Sequence, residues 1–120
     1  MKNILVVEDN AANRELLQEV LALDGYQVRE AVDGREALAQ VESATPDLVL
    51  LDLQVPKLDG YGVLQELRAD ARWAKLPVVA VTAFAMRGDR EKALAVGFDA
   101  YVTKPIDTAA LRRELKRLLG

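Results

Sequence analysis

Short runs dominated by apolar residues recur along the chain. Each is followed by a segment in which apolar residues recur every three to four positions, as on one face of a helix. Runs of this kind, uninterrupted by charge, are typical of strands buried on both faces of a parallel sheet. One further predicted strand, at 27–32, is more polar because it contains Arg29 and Glu30, so we expect it at an edge of the sheet. The uninterrupted runs lie at 4–7, 48–51, 78–81 and 101–103.

Amphipathic segments between these runs predict helices. The first helix is expected at about 11–24, where apolar residues recur at helical spacing. The segment at about 87–96 carries mostly Ala and Met on its apolar side, so this helix should bury little and pack loosely. Strands alternate with helices throughout, which predicts an α/β fold with a doubly wound parallel sheet. Helix caps are predicted at Asp33, Asp59 and Asp107.

Size and composition narrow the possible functions. The chain has 120 residues, of which 51% are hydrophobic and 29% charged, so we expect one ordinary globular domain spanning 1–120. The net charge of −3 argues against direct binding of nucleic acid. The chain has no Cys and no His, which excludes a thiol nucleophile, a zinc–thiolate site and a histidine base. No apolar run reaches membrane-spanning length, so a cytoplasmic location without membrane association is expected.

Polar functional groups stand at the ends of four of the five predicted strands. Because the carboxyl ends of parallel strands meet at one edge of the sheet, these groups should share one site. Clustered carboxylates repel one another and favour a bound cation, and Mg²⁺ suits oxygen ligands. Taken singly, an acid or a threonine is equally well explained as a cap of the next helix, but a lysine before a proline is not. The groups are Glu8 and Asp9, Asp52, Thr82, and Lys104.

Five motifs at these strand ends resemble a known family, the CheY-like receiver domains of response regulators, over essentially the whole chain. The segment 78–89 is particularly similar to stand-alone receivers of the DivK type. The resemblance implies a flavodoxin-like, three-layer (βα)5 fold with strand order 2-1-3-4-5. The motifs are Val6-Val7-Glu8-Asp9-Asn10, Asp47-Leu48-Val49-Leu50-Leu51-Asp52, Pro56-Lys57-Leu58-Asp59-Gly60, Val81-Thr82-Ala83 and Tyr101-Val102-Thr103-Lys104-Pro105.

The resemblance also implies a role for each matching residue. Asp52 corresponds to the phosphoacceptor, which takes a phosphoryl group from a histidine kinase or a histidine phosphotransfer protein. Asp9, Asp52 and the backbone carbonyl of Gln54 would hold Mg²⁺, with Glu8 acting through water. The residues that would contact the phosphoryl oxygens are Lys104, Thr82 and the amide of Ala83. The peptide bond between Lys104 and Pro105 is expected to be cis.

Signalling in this family implies a conformational switch. Phosphorylation would draw Thr82 inward, Tyr101 would fill the space, and the loosely packed helix after Thr82 would resettle. The output surface would comprise the fourth helix, the fifth strand with Thr103, and the last helix. Such a protein is no enzyme beyond its own phosphorylation and dephosphorylation, and we expect a monomer or weak dimer. The last helix carries a basic run that could meet an acidic partner, although a solvated face is favoured: Arg112, Arg113, Lys116 and Arg117.

Several alternatives stay open. The chain could be a receiver excised from a multidomain regulator or hybrid kinase, or a designed, stabilised scaffold. A phosphohydrolase with an aspartyl-phosphate intermediate would carry a second acid where this chain has Gln54, and a flavodoxin-like cofactor binder would need a phosphate loop after the first strand. Gln54 and Phe84 lie at positions that tune phosphoryl lifetime, and the bulk of Phe84 predicts a long-lived phosphate. Trp73 is expected to be a partly exposed loop residue far from the site.

Overall fold

The computed structural model describes residues 1–83 and 86–120. These residues form five strands and five helices in strict alternation, as the apolar pattern predicts. No helix within these ranges is long and apolar enough to cross a bilayer. The strands are β1 (Asn3–Val7), β2 (Gln27–Ala31), β3 (Leu48–Asp52), β4 (Val78–Thr82) and β5 (Ala100–Thr103). The helices are α1 (Ala11–Leu23), α2 (Gly34–Ser43), α3 (Gly60–Ala69), α4 (Asp89–Val96) and α5 (Thr108–Leu119).

All five strands are parallel, in the order β2-β1-β3-β4-β5, which confirms the predicted fold class and strand order. The polar strand β2 lies at an edge, as expected. Arg29 explains why this strand tolerates charge, because its guanidinium donates hydrogen bonds to the carbonyls of Gln40 and Ala44 at the end of α2. The charged residue of the edge strand therefore ties the sheet to a helix.

Helices cover both faces of the sheet. In β1, Ile4 and Val6 belong to the apolar cluster that includes residues of α1 and α5, whereas Leu5 and Val7 belong to the cluster that includes residues of α2, α3 and α4. This alternation follows from the strand geometry, in which successive side chains point to opposite faces. The result is a three-layer arrangement with two cores, each formed between the sheet and one helical layer.

The helix α4 is held by few contacts, in agreement with its small apolar side. Ala93 is its only buried residue. The helix begins at Asp89, two residues later than predicted, after Gly88 in the left-handed conformation at φ 88°. At its other end, the guanidinium of Arg68 in α3 donates a hydrogen bond to the carbonyl of Gly97. The C-terminal end of α4 is thus tied to α3.

The prediction that Trp73 is partly exposed is wrong. Its side chain lies in the core beneath α2 and α3, and the residue is only 7% exposed. The indole Nε1 donates a hydrogen bond to Oγ1 of Thr45 at 3.0 Å, and the guanidinium of Arg72 lies 4.1 Å from the ring centroid. The connection between α3 and β4 lacks any periodic pattern, so its inward side chain was not recognisable from the sequence.

Candidate functional site

The polar residues at the strand ends lie together at the carboxyl edge of the sheet. Asp52 is the last residue of β3, and Glu8 and Asp9 directly follow its neighbour β1. One carboxylate oxygen from each of the three acids lies within 4.8 Å of the others. Glu8 and Asp52 are buried, whereas Asp9 is exposed. The adjacency of β1 and β3 therefore produces the acidic cluster that the sequence predicts.

Lys104 joins two of these acids. Its Nζ lies 2.5 Å from Oε1 of Glu8 and 2.7 Å from Oδ2 of Asp52. Burial works to lower the pKa of Lys104, but the two carboxylates outweigh it and hold this pKa above its usual value. The backbone also positions the residue, since Lys104 N–H donates to the carbonyl of Thr82 and the bond to Pro105 is cis. A protonated Lys104 is thus placed directly beside the two buried acids.

Gln54 connects the end of β3 to the end of β4. Its backbone N–H donates to Oδ1 of Asp52 at 2.9 Å, and its side-chain Oε1 accepts a hydrogen bond from Oγ1 of Thr82 at 3.1 Å. Thr82 is 1% exposed, whereas Gln54 is exposed to solvent. Both oxygens of Asp52 are therefore engaged, one by an amide and the other by the ammonium of Lys104.

Glu8 is held by more groups than sequence reasoning identified. Its Oε1 accepts a hydrogen bond from Nδ2 of Asn13 at 3.1 Å, and Nη1 of Arg14 donates to its backbone carbonyl. Burial raises the pKa of Glu8, and the nearby charge of Asp52 adds to this rise while the contact with Lys104 opposes it. Asn13 and Arg14 were missed, although two polar residues in the first turn after a strand-end acid are a usable signal.

The donor set fits Mg²⁺. Glu8, Asp9 and Asp52 offer only oxygen ligands, and hard divalent cations prefer such ligands. Three carboxylates with one ammonium leave an excess of negative charge, which a divalent cation complements. The site can therefore hold a cation beside a buried carboxylate whose geometry is already set by hydrogen bonds.

The other predicted site residues lie around this cluster. Ala83 follows Thr82 and is exposed. Tyr101 in β5 is 8% exposed, and within 1–83 and 86–120 its hydroxyl finds no hydrogen-bond partner. Burial raises the pKa of this tyrosine. Phe84, predicted to lengthen the lifetime of the phosphate, lies outside the described residues.

Part of the basic run on α5 is paired within the protein. Arg112 forms an ion pair with Asp24 at 2.7 Å, and Arg117 forms one with Glu114 at 2.6 Å. The pairing with Arg112 lowers the pKa of Asp24. Internal pairing reduces the positive charge that the run offers to a partner, which favours the interpretation as a solvated face.

Comparison with known proteins identifies this arrangement. The family model described as "Response regulator receiver domain" matches residues 4–116. The chain is 38% identical over 119 residues to the polar-differentiation response regulator DivK of Brucella anthropi, an alignment that covers 99% of this chain and 97% of the relative.

Solved structures agree with this result. A putative response regulator from Chloroflexus aurantiacus superposes with a TM-score of 0.93 at 30% identity, over 98% of this chain and 97% of that one. The receiver domain of a sensor histidine kinase from Pseudomonas aeruginosa, with a magnesium ion coordinated in its active site cleft, has a TM-score of 0.90 at 39% identity, over 99% and 98% of the two chains. The chemotaxis response regulator CheY4 of Vibrio cholerae has a TM-score of 0.90 at 28% identity, over 98% of each chain.

Proposed function

Because this chain belongs to the response regulator receiver domain family of two-component signalling, we propose that it is a phosphorylation-dependent switch whose phosphoacceptor is Asp52. The donor is a histidine kinase or a histidine phosphotransfer protein. One observation carries the proposal: the buried carboxylate of Asp52 ends β3, beside two further acids and 2.7 Å from the ammonium of Lys104. We further propose that residues 1–120 make up one receiver domain, whose downstream partner is a protein.

In the proposed reaction, a carboxylate oxygen of Asp52 attacks the phosphorus of a phosphohistidine. A P–O bond to Asp52 forms while the P–N bond breaks, and the imidazole leaves with the bonding electron pair and takes up a proton. The N–H of Gln54 and the ammonium of Lys104 hold the carboxylate in position beforehand. Phosphoryl transfer depends mainly on such positioning and on electrostatic stabilisation.

Asp9, Asp52 and the backbone carbonyl of Gln54 would hold Mg²⁺, with Glu8 contributing through water. The bound ion supplies positive charge that offsets the charge of the incoming phosphoryl group. After transfer, Lys104 exchanges its contact with the carboxylate for one with a phosphoryl oxygen. The hydroxyl of Thr82 and the amide of Ala83 donate to the remaining oxygens. Hydrolysis of the acyl phosphate returns the protein to its initial state.

The output of the switch is carried by α4, β5 and α5. Phosphorylation engages Thr82, and Tyr101 fills the space beside it in the switched state. The small apolar contact of α4, whose only buried residue is Ala93, supports this proposal because a weakly packed helix resettles at low cost. A phosphorylation-dependent shift of population between two packings of α4 is then sufficient to change the output surface.

Phosphorylation of the intact chain tests the proposal. The protein is incubated with acetyl phosphate or phosphoramidate and Mg²⁺, and its intact mass is measured. We expect one added phosphoryl group in the parent and none in Asp52→Asn or after chelation of Mg²⁺. Asp59→Asn is the matched control, because Asp59 is an exposed helix cap and Asn preserves the cap; this variant should be phosphorylated like the parent. A parent that takes up no phosphoryl group would overturn the proposal.

A further inference from the structure

The side chain of Gln54 holds the hydroxyl of Thr82 in a position that phosphorylation must change. Thr82 Oγ1 donates to Oε1 of Gln54 at 3.1 Å, while the backbone of Gln54 is fixed by its hydrogen bond to Oδ1 of Asp52. The strands β3 and β4 are adjacent and pair Asp52 with Val81, so the contact is made across neighbouring strand ends. Gln54 thus links the proposed phosphoacceptor to the residue that would sense the phosphate.

A hydroxyl group has only one proton to donate. In the proposed phosphorylated state, Thr82 donates that proton to a phosphoryl oxygen, so it can no longer donate it to Gln54. We propose that Gln54 is a positioning residue that competes for the Thr82 proton and thereby sets the balance between the unphosphorylated and switched states. This inference rests on the proposed function, since it assigns to Gln54 a part in the regulation of the same site.

Other parts of the switch offer less resistance. Tyr101 is only 8% exposed, and its hydroxyl finds no hydrogen-bond partner in the described part of the chain, so no hydrogen bond of this hydroxyl to a described residue has to break when the ring moves beside Thr82. Lys104 exchanges one anionic oxygen for another. The hydrogen bond from Thr82 to Gln54 is therefore the contact that stabilises the unphosphorylated arrangement, and it is lost when Thr82 donates to the phosphoryl group instead.

The size of the effect follows from the net strength of one hydrogen bond. A neutral bond between a hydroxyl and an amide oxygen stabilises a protein by an amount that corresponds to roughly a two- to tenfold change in an equilibrium constant. The apparent Kd of a ligand that requires the switched state equals its intrinsic Kd divided by the fraction of molecules already in that state. Removing the competing acceptor should therefore tighten the binding of a phosphoryl mimic by about two- to tenfold.

The test compares the parent with Gln54→Met, which keeps the length of the side chain but has no acceptor oxygen. Both proteins are titrated with beryllium fluoride, a phosphoryl mimic, in the presence of Mg²⁺, and binding is followed through the backbone amide signals of β4 and β5. We expect Gln54→Met to bind about two- to tenfold more tightly. Its amide signals should also lie, before any ligand is added, displaced from the parent's towards the bound positions. Gln65→Met, an exposed glutamine on α3, is the matched control and should behave like the parent.

A double-mutant cycle decides whether Thr82 mediates the effect. In Thr82→Ser, which keeps the donor, Gln54→Met should have its full effect; in Thr82→Val, which has no proton to donate, it should have none. An equal effect in Thr82→Val, or no change of affinity and amide signals in Gln54→Met alone, would overturn the role of Gln54 while the parent still binds the mimic. A parent that neither binds the mimic nor accepts a phosphoryl group would instead overturn the proposed function, and the inference with it.

Discussion

The ammonium of Lys104 lies 2.7 Å from Oδ2 of Asp52 although the two residues are 52 positions apart in the chain. The same ammonium contacts Glu8, so a single cation neutralises part of the charge of two buried acids. In the absence of a bound metal ion, the stability of the protein therefore depends on Lys104. Without its ammonium, the buried carboxylates of Glu8 and Asp52 would lack a positively charged partner.

Lys104→Met should therefore destabilise the protein in metal-free buffer by roughly 2 kcal/mol. Mg²⁺ should raise the melting temperature of this variant more than that of the parent, because the cation replaces the missing positive charge. Thermal unfolding with and without Mg²⁺ measures both effects. Lys75→Met, at an exposed position, is the control and should change stability little. A loss in Lys104→Met that Mg²⁺ leaves unchanged would contradict this account.

Arg68 in α3 holds three segments together. Its guanidinium donates hydrogen bonds to the carbonyls of Trp73, Leu76 and Gly97, and it forms an ion pair with Asp99 at 3.1 Å. A lysine cannot make this set of contacts, because its single ammonium lacks the planar fork of donors. Arg68→Lys should lower the free energy of unfolding by about 2–4 kcal/mol. Hydrogen exchange should also become faster in the amides of the last turn of α4.

The matched control is Arg35→Lys. Arg35 lies 3.8 Å from Glu66, and both side chains are more than half exposed. Exposed pairs of this kind contribute little, so the substitution should change stability by less than about 0.5 kcal/mol. If Arg68→Lys changed the free energy of unfolding as little as Arg35→Lys, the hydrogen bonds of Arg68 would not be what anchors α4.

The hydrogen bond from the buried indole of Trp73 to Thr45 is testable at its acceptor. Thr45→Val removes the oxygen and leaves the indole N–H without this partner, which should cost about 1–2 kcal/mol. Thr45→Ser keeps the oxygen and should retain most of the parent's stability. Urea unfolding followed by the fluorescence of the single tryptophan measures both variants. If Thr45→Ser were destabilised as much as Thr45→Val, keeping the acceptor oxygen would not preserve stability, which would contradict the role of this hydrogen bond.

Asp33 at the start of α2 makes stability depend on pH. The hydrogen bond from the N–H of Glu36 holds the pKa of Asp33 below its usual 3.8, with a further contribution from Lys57, while burial opposes the shift. Because the folded-state pKa is lowered, the charge stabilises the protein above about pH 3.8, and this stabilisation is lost as the pH falls through the lowered value. The parent should thus be more stable than Asp33→Asn at pH 7, with a difference that disappears in acid.

Urea unfolding across this pH range measures the difference. Asp33→Asn keeps a side-chain oxygen for the N–H of Glu36, so it isolates the effect of charge. Asp33→Ala removes the acceptor as well and should remain less stable than the parent even in acid. A difference between the parent and Asp33→Asn that does not vary with pH would show that the charge contributes nothing.

The sequence predicted the fold and the composition of the site because both depend on local patterns. The apolar runs that form β1, β3 and β4 stop at Glu8, Asp52 and Thr82, and parallel strands bring such ends to one edge. The polarity of Arg29 and Glu30 likewise indicated an edge strand. These features need only the spacing of residues along a strand or helix.

Contacts that a side chain makes with a residue distant in sequence were not predictable in this way. Trp73 reaches Thr45 across 28 positions, and Arg68 reaches Gly97 across 29. The turns around Trp73 have no regular period, so nothing in the local pattern tells which side chain points inward. Asn13 differs, because it lies only five positions from Glu8 and a polar residue in the first helical turn after a strand-end acid is a local signal that could have indicated this contact.

The sequence by itself therefore determined the alternation of strands and helices and the set of groups at the strand ends. The tertiary structure decided how those groups pair: that Lys104 bridges Glu8 and Asp52, and that Thr82 donates its proton to Gln54. The physical reason is the range of each effect. Burial patterns extend over whole elements and leave a period in the sequence, whereas a hydrogen bond depends on atoms within about 3 Å of each other, and the packing of the strand ends alone sets that distance.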